Sequence, residues 1–285
     1  MKELAIITDT VADLPKEYIK ENNIYLVSLY VIVDNQYYKD GVDINTDDIN
    51  KLNEENPEFT GRTSAPSPGD FEEVFKKIKE DGYKRAVYIS INPKLSGTMA
   101  SASIADTGGL DVEIINSGSI SILQGFLVMH AVNLLNDGYK ADEIIDKIKK
   151  NVGNQRLFAW LNTLRNLKAS GRLGRASKKI TSLLNLKPII AVDGSGNIDL
   201  VKIKTTREKS YDKIEKEIRK DLENCDNFYL SYHYGGDEGY IREIRERLID
   251  LENRAKKTII GQLGSVVATQ VGPKTYSVGY IKLED

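Results

Sequence analysis

Residues 89–102 read I-S-I-N-P-K-L-S-G-T-M-A-S-A. The apolar run Ala86-Val87-Tyr88-Ile89 leads into this stretch, and small helix-compatible residues, 99–105, follow it. The pattern is strand, loop, helix start. At such a turn hydroxyl groups meet free backbone N–H groups, and the first helical turn favours an anion. Ser96, Gly97 and Thr98 are therefore candidates to hold the acidic end of a ligand. A serine or threonine in this place can equally be a helix cap and nothing more.

Working outward, the alternation of strand and helix continues. Residues 4–8 are a short apolar run of buried-strand type, ending at Thr8-Asp9-Thr10. The carboxyl end of a first parallel strand is where α/β sheets place ligands, so Asp9 is either functional or a cap for the next turn. Pro15 suits the first turn of a helix over 16–22. A second strand is expected over 25–33. The loop 61–69, G-R-T-S-A-P-S-P-G, is rich in hydroxyls. In it Ser67, Pro68 and Asp70 mark a helix start, and Phe71, Val74, Phe75 and Ile78 fall on one face of that helix. Thr63 and Ser64 lie upstream of the cap, which leaves them unexplained by it. A strand over 112–115, a nearly all-apolar helix over 120–135 and an amphipathic helix with Ile144, Ile145 and Ile148 follow. This order implies a mostly parallel sheet with helices on both faces.

The character changes near Gly153-Asn154. A strand over 157–161 precedes a basic, polar stretch over 164–179. Residues 188–192 and 198–204 form a hairpin around Asp193-Gly194-Ser195-Gly196-Asn197. A helix with Tyr211, Ile214, Ile218 and Leu222 comes next, then a strand over 228–232 and a helix with Ile241, Ile244 and Leu248. Strand-like stretches close the chain at 258–262, then 266–272 and 277–283. The reading is two domains, 1–153 of α/β type and 154–285 of mixed α+β type.

The 285 residues carry a formal net charge of −2, which argues against a general nucleic-acid binder. The apolar stretch 120–135 contains Gln124, His130 and Asn133 and is too short to span a bilayer. Glu3 stands at once in the N-terminus and no small-residue cleavage site follows, so no signal peptide is expected. Cys225 is the one cysteine, which excludes a disulfide framework and multi-cysteine metal sites. A cytoplasmic protein is expected.

The Walker pattern, G-x-G-x-x-G after a strand, and G-x-S-x-G are all missing. His130 and His233 are the two histidines. His233 follows a strand and precedes Tyr234-Gly235-Gly236, which suggests exposure. A small-molecule kinase or hydrolase using Asp9 and His233 stays open as an alternative. Otherwise the chain offers hydroxyls and arginines: Thr63, Ser64, Ser90, Ser96 and Thr98, with Arg172 and Arg207. Such a set can bind a carboxylate without doing chemistry on it.

Six ordered motifs give a family likeness over nearly the whole chain. They are Ile7-Thr8-Asp9-Thr10 with Ala12-Asp13-Leu14-Pro15, Thr63-Ser64-Ala65-Pro66-Ser67, and Leu95-Ser96-Gly97-Thr98. Next come Leu164 with Ser170-Gly171-Arg172-Leu173, then Leu183-Leu184-Asn185-Leu186-Lys187-Pro188, and Val271-Gly272-Pro273. In these the chain resembles the DegV family, whose characterised members are fatty-acid-binding subunits of bacterial fatty-acid kinase. The resemblance implies an N-terminal Rossmann-like three-layer α/β/α domain and a C-terminal α+β domain with a mixed or antiparallel sheet. It implies a long-chain fatty acid in an apolar tunnel, its carboxylate between the domains and bound by Thr63 and Ser96. Ser64, Gly97 and Thr98 belong to the same two motifs. The family histidine of H-x-G-P is Gln270 here. Its amide can donate a hydrogen bond but cannot become a cation. Ser170-Gly171-Arg172 replaces Gly-Gly-Arg, so Arg172, with Arg207 as a second candidate, is assigned to the head group or to kinase docking. The resemblance further implies no cofactor and no catalysis by this chain alone. The partner would be a separate ATP-dependent fatty-acid kinase, with transient membrane contact but no stable insertion. A lipid-responsive interaction protein without a kinase is the other alternative.

Overall fold

The computed structural model describes residues 3–173, 186–203 and 205–284. Residues 174–179 of the basic stretch, Leu183-Leu184-Asn185 of the fifth motif, and Lys204 at the end of the expected hairpin lie outside the described residues. In chain order the strands are β1 (Ala5–Asp9), β2 (Tyr25–Val27), β3 (Tyr30–Val33), β4 (Gln36–Lys39), β5 (Arg62–Ser64), β6 (Arg85–Ser90), β7 (Asp111–Asn116), β8 (Gln155–Trp160), β9 (Ile189–Asp193), β10 (Ile198–Lys202), β11 (Phe228–Tyr234), β12 (Lys257–Gln262) and β13 (Tyr276–Lys282). The helices are α1 (Lys16–Glu21), α2 (Thr46–Glu55), α3 (Pro68–Glu80), α4 (Thr98–Ile104), α5 (Ile122–Asn136), α6 (Ala141–Asn151), α7 (Arg165–Ala169), α8 (Arg207–Leu222), α9 (Gly239–Arg247), α10 (Ile249–Arg254) and α11 (Ser265–Val271).

Four strands run parallel in the order β2-β1-β6-β7. Side chains alternate across each strand. Ile6, Val87 and Ile89 therefore face α5 and α6, while Ala5, Ile7, Ala86 and Tyr88 face α3 and α4. Helix α3 starts as its sequence specifies. Ser67 accepts from the Asp70 N–H and Asp70 accepts in return from the Ser67 N–H, with Pro68 in the first turn.

The second sheet has the order β10-β9-β8-β13-β11-β12, antiparallel except for the β11–β12 pair. Leu157, Ala159, Ile190, Val192, Tyr229 and Ile281 on its inner face join the core around α5. Phe158, Trp160, Leu230, Tyr232 and Val278 on its outer face pack against α8, α9 and α10. Helix α5 is thus covered by both sheets, which is why it is apolar round its circumference.

Two expectations are corrected. The strand over 25–33 is two strands in different sheets. Leu29 breaks it, because its N–H bonds the Thr10 hydroxyl at 3.1 Å rather than a neighbouring strand. β3 then joins a small antiparallel sheet of order β4-β3-β5. The stretch 266–272 is not a strand: its residues 266–271 belong to helix α11, which Gly272 ends. Val266, Val267 and Ala268 pack there against Val11, Val31, Ile49 and Ile91, so tertiary burial overrides local preference. The C-terminal segment thereby completes a core begun by the N-terminal one. Among the described residues no helix is long and apolar enough to cross a membrane.

The β9–β10 turn is seated on the N-terminal half. Asn92 Nδ2 and Lys94 Nζ each donate to the Ser195 carbonyl at 3.0 Å. Gly194 permits the approach, since a Cβ there would lie 2.3 Å from the Gly153 Cα. Gly194→Ala should cost about 1–3 kcal/mol of stability through overpacking. Thermal melting checks this, and an unchanged midpoint would mean that the two segments do not meet this closely in solution.

Candidate functional site

A cavity opens where three parts of the fold meet: the loop before α4, the small sheet with α11, and the inner face of the large sheet. Its atom-free space, open mouth included, is about 950 Å³. Most of the wall is aliphatic, with Leu29, Ile91, Leu95, Leu157, Ile190 and Val267 among its residues. Thr63, Ser96, Gly97, Arg172 and Gln270 also line it. The structure thus brings together residues from four of the sequence motifs.

Two hydroxyls on this wall are set up by neighbours. Gln270 Nε2, on α11, donates to Thr63 Oγ1 at 2.7 Å. Thr63 is therefore an acceptor to the amide, and its own proton is free to point at a ligand. Ser96 Oγ and Thr98 Oγ1 are 2.8 Å apart and share a hydrogen bond. Thr98 is fully buried, whereas Ser96 is half-buried on the wall. With Thr98 as donor, the Ser96 proton is likewise free. Neither hydroxyl caps α4, whose N-cap is Gly97 with no side-chain cap bond. The helix-cap alternative is therefore not what the fold uses. Gln270 Oε1 is buried without a partner. Arg172 is half-buried on the wall, and its Nε donates to the Leu95 carbonyl at 3.3 Å. That bond ties the arginine to the loop that carries Ser96.

Three predicted residues do not reach the cavity wall. Val31 pairs with Thr63 and Tyr30 with Ser64 across β3 and β5. Alternation then sends Ser64 to the face opposite Thr63, where its hydroxyl donates to the Ala65 carbonyl at 3.1 Å. Thr98 sits behind Ser96. Arg207 lines a different cleft with Trp160 and Lys187, its guanidinium 4.9 Å from the centre of the Tyr240 ring. Sequence reasoning also missed Ser121, Thr275 and Ser277, which line the cavity. No local signal marks them, because strand and loop pairing decides where they point.

Buried acids sit beside the site. Tyr88 Oη donates to Asp9 at 2.7 Å, and the Ile91 and Val11 N–H groups each donate at 3.2 Å. Burial pushes the Asp9 carboxyl up to about 6. Asp13 accepts from the Ser121 hydroxyl and, at 3.0 Å, from the Gly264 N–H. Burial, with a smaller contribution from the Asp40 charge, raises Asp13 to about 8. Asp40 in turn accepts from the Ser265 hydroxyl. The expectation of an exposed His233 is corrected: it is 1% exposed, and burial lowers its pKa to about 4. It lies on the inner face of the large sheet, opposite Ser277.

The model of the DegV family, described as an uncharacterised protein family, matches residues 3–283. A DegV domain-containing protein of Clostridium acetobutylicum is 33% identical over the full length of both chains. The fold is similar to a solved DegV family protein from Thermus thermophilus described for fatty acid binding, with TM-score 0.88 and 26% identity over 99% of this chain and 100% of that one. It is also similar to a stearic acid-binding protein from Eubacterium ventriosum, with TM-score 0.87 and 28% identity over 98% of both chains.

The buried acids give stability a direction with pH. Asp13 holds its proton in the folded state up to about pH 8, whereas its ordinary value is 3.8. Between those values the folded state binds more protons than the unfolded one, so stability falls as pH rises. The melting temperature should therefore drop between about pH 4 and pH 8. Asp13→Asn stays neutral and should flatten that drop. An equally steep drop in the variant, followed by calorimetry, would contradict the assignment.

Proposed function

Because the chain belongs to the DegV family, we propose that it binds a long-chain fatty acid in this cavity and presents the carboxylate to a separate ATP-dependent fatty-acid kinase. The acid lies between the halves formed by residues 1–153 and 154–285, its head group on Thr63 and Ser96. The observation that carries this reading is an aliphatic cavity with two hydroxyls on its wall, Thr63 accepting from the Gln270 amide and Ser96 sharing a hydrogen bond with Thr98. The fatty-acid-binding descriptions of the Thermus and Eubacterium proteins support it.

The physical division of labour is plain. Burying about 15 CH₂ groups at about 0.8 kcal/mol each yields about 12 kcal/mol before ordering costs. Each charge-assisted hydrogen bond to the head group adds about 1.5–3 kcal/mol. The tail therefore sets affinity and the hydroxyls set orientation. A carboxylate buried without such donors would cost several kcal/mol. Gln270 orients Thr63 without adding a charge, and Arg172 supplies the positive group beside the carboxylate or at the kinase docking face. The reading assigns no cofactor and no catalysis to this chain alone. It places the protein in the cytoplasm, in transient contact with membranes.

Organic extraction of the purified protein followed by mass spectrometry should release a long-chain fatty acid. Finding none, together with no binding of added fatty acid, would sink the reading. Thr63→Ala and Ser96→Ala should each weaken fatty-acid binding about tenfold or more, the equivalent of one charge-assisted hydrogen bond. Their melting temperatures should stay close to that of the parent, and a collapse would return both residues to a structural role. Arg172→Ala should slow phosphorylation by the kinase more than it weakens lipid binding. Equal loss of both moves Arg172 into the head-group site.

A further inference from the structure

The cleft that holds Arg207 shares no lining residue with the acyl cavity. The turn after α11 touches both: Val271 and Thr275 line the cavity, and Lys274 lines the cleft. Lys274 stands there on a left-handed backbone (φ 61°), its N–H bonded to the Gly235 carbonyl at 3.2 Å. Among the described residues lining the cleft, five are cationic (Lys187, Lys202, Arg207, Lys209 and Lys274) and one, Glu208, is anionic. The whole chain carries −2, so its composition does not account for this wall. An adjoining cleft shares Lys187 and Lys274 but also holds Asp47, Glu54 and Asp237. The excess of positive charge is therefore confined to the Arg207 side.

These cations lack counter-charges. Glu208 comes only to 3.9 Å of Arg207. None of the four lysines forms an ion pair among the described residues, where the paired lysines are others. Charges of one sign on a concave wall focus the field and concentrate a counter-ion. Helix α8, of 16 residues, begins at Arg207 and adds the positive end of its dipole. The Arg207 guanidinium rests 4.9 Å from the centre of the Tyr240 ring, which steadies it in place. The size of the excess sets the class of ligand. One acid against five cations leaves four positive charges unmatched. A single phosphate group carries about −1.5 to −2 at pH 7, so at least two are needed to balance them.

We propose that this cleft binds a small anion carrying two or more phosphate groups, as inorganic pyrophosphate and nucleoside di- and triphosphates do. Its concave shape suits a small anion better than the flat face of an acidic protein. The site goes beyond the fatty-acid reading and does not depend on it. It is a binding site, and no transfer step is assigned to it.

Trp160 lines the cleft and is the one tryptophan of the chain, so its emission reports binding. Titration of the full chain with pyrophosphate or ATP should change that emission and saturate. Orthophosphate should bind about tenfold more weakly, and added salt should weaken all three. ATP binding tighter than pyrophosphate identifies a nucleotide as the ligand, whereas equal affinity identifies the diphosphate alone, and both results support the site. Lys209→Gln and Arg207→Gln should each lower pyrophosphate affinity about threefold to fivefold, and Glu208→Gln should raise it. Displacement of a fluorescent fatty acid should be unchanged in Lys209→Gln. The proposal is overturned if neither pyrophosphate nor ATP gives a saturable emission change or a heat of binding by calorimetry. It is equally overturned if both anions bind the Lys209→Gln and Arg207→Gln variants as tightly as the parent. Slower phosphorylation by the kinase in those variants, with no anion bound by the parent, makes the cleft a protein-docking surface and overturns it too.

Discussion

Asp13 accepts hydrogen bonds from the Ser121 hydroxyl and the Gly264 backbone N–H, joining three segments that lie far apart in the sequence. It follows the first strand, on a backbone of left-handed conformation (φ 48°) that aspartate tolerates better than most residues. Ser121 opens α5, the helix that both sheets cover, and Gly264 opens α11. Asp40 repeats the arrangement one residue further on, accepting from Ser265. The placement of α11 thus depends on two buried acids of the N-terminal half. Gln270 at the far end of that helix then reaches Thr63. A polar junction therefore sets the position of the head-group site.

The cavity beside this junction answers two opposed demands. An acyl chain asks for an aliphatic wall, which the inner face of the large sheet and α11 supply. A carboxylate asks for donors. The fold meets the second demand with two hydroxyls held by neighbours: Thr63 accepts from Gln270 and keeps its proton to give, and Ser96 shares a hydrogen bond with Thr98. Thr98 is paired with Ser96, and Gln270 with Thr63. In both cases the supporting residue is more buried than the hydroxyl it orients.

The sequence speaks clearly where one local rule governs. The Ser67–Asp70 reciprocal cap and the Phe71, Phe75, Ile78 stripe of α3 follow from spacing alone, and both stand in the structure. The parallel order of the first sheet follows from strand–helix alternation. Legibility fails where distant segments decide. Thr63 and Ser64 are equivalent in a loop, and only pairing with β3 turns one toward the cavity. Residues 266–272 read as strand-like because valine favours strands, yet burial against Val31 and Ile91 makes 266–271 helical.

The central claim is that an acyl chain lies in this cavity with its carboxylate at Thr63 and Ser96. A crystal structure of the protein loaded with stearate tests it most directly. The account predicts carboxylate oxygens about 2.5–3.0 Å from Thr63 Oγ1 and Ser96 Oγ, with the tail running along Ile91, Ile190 and Val267. A ligand bound in the reverse sense, or seated outside the cavity, would contradict it.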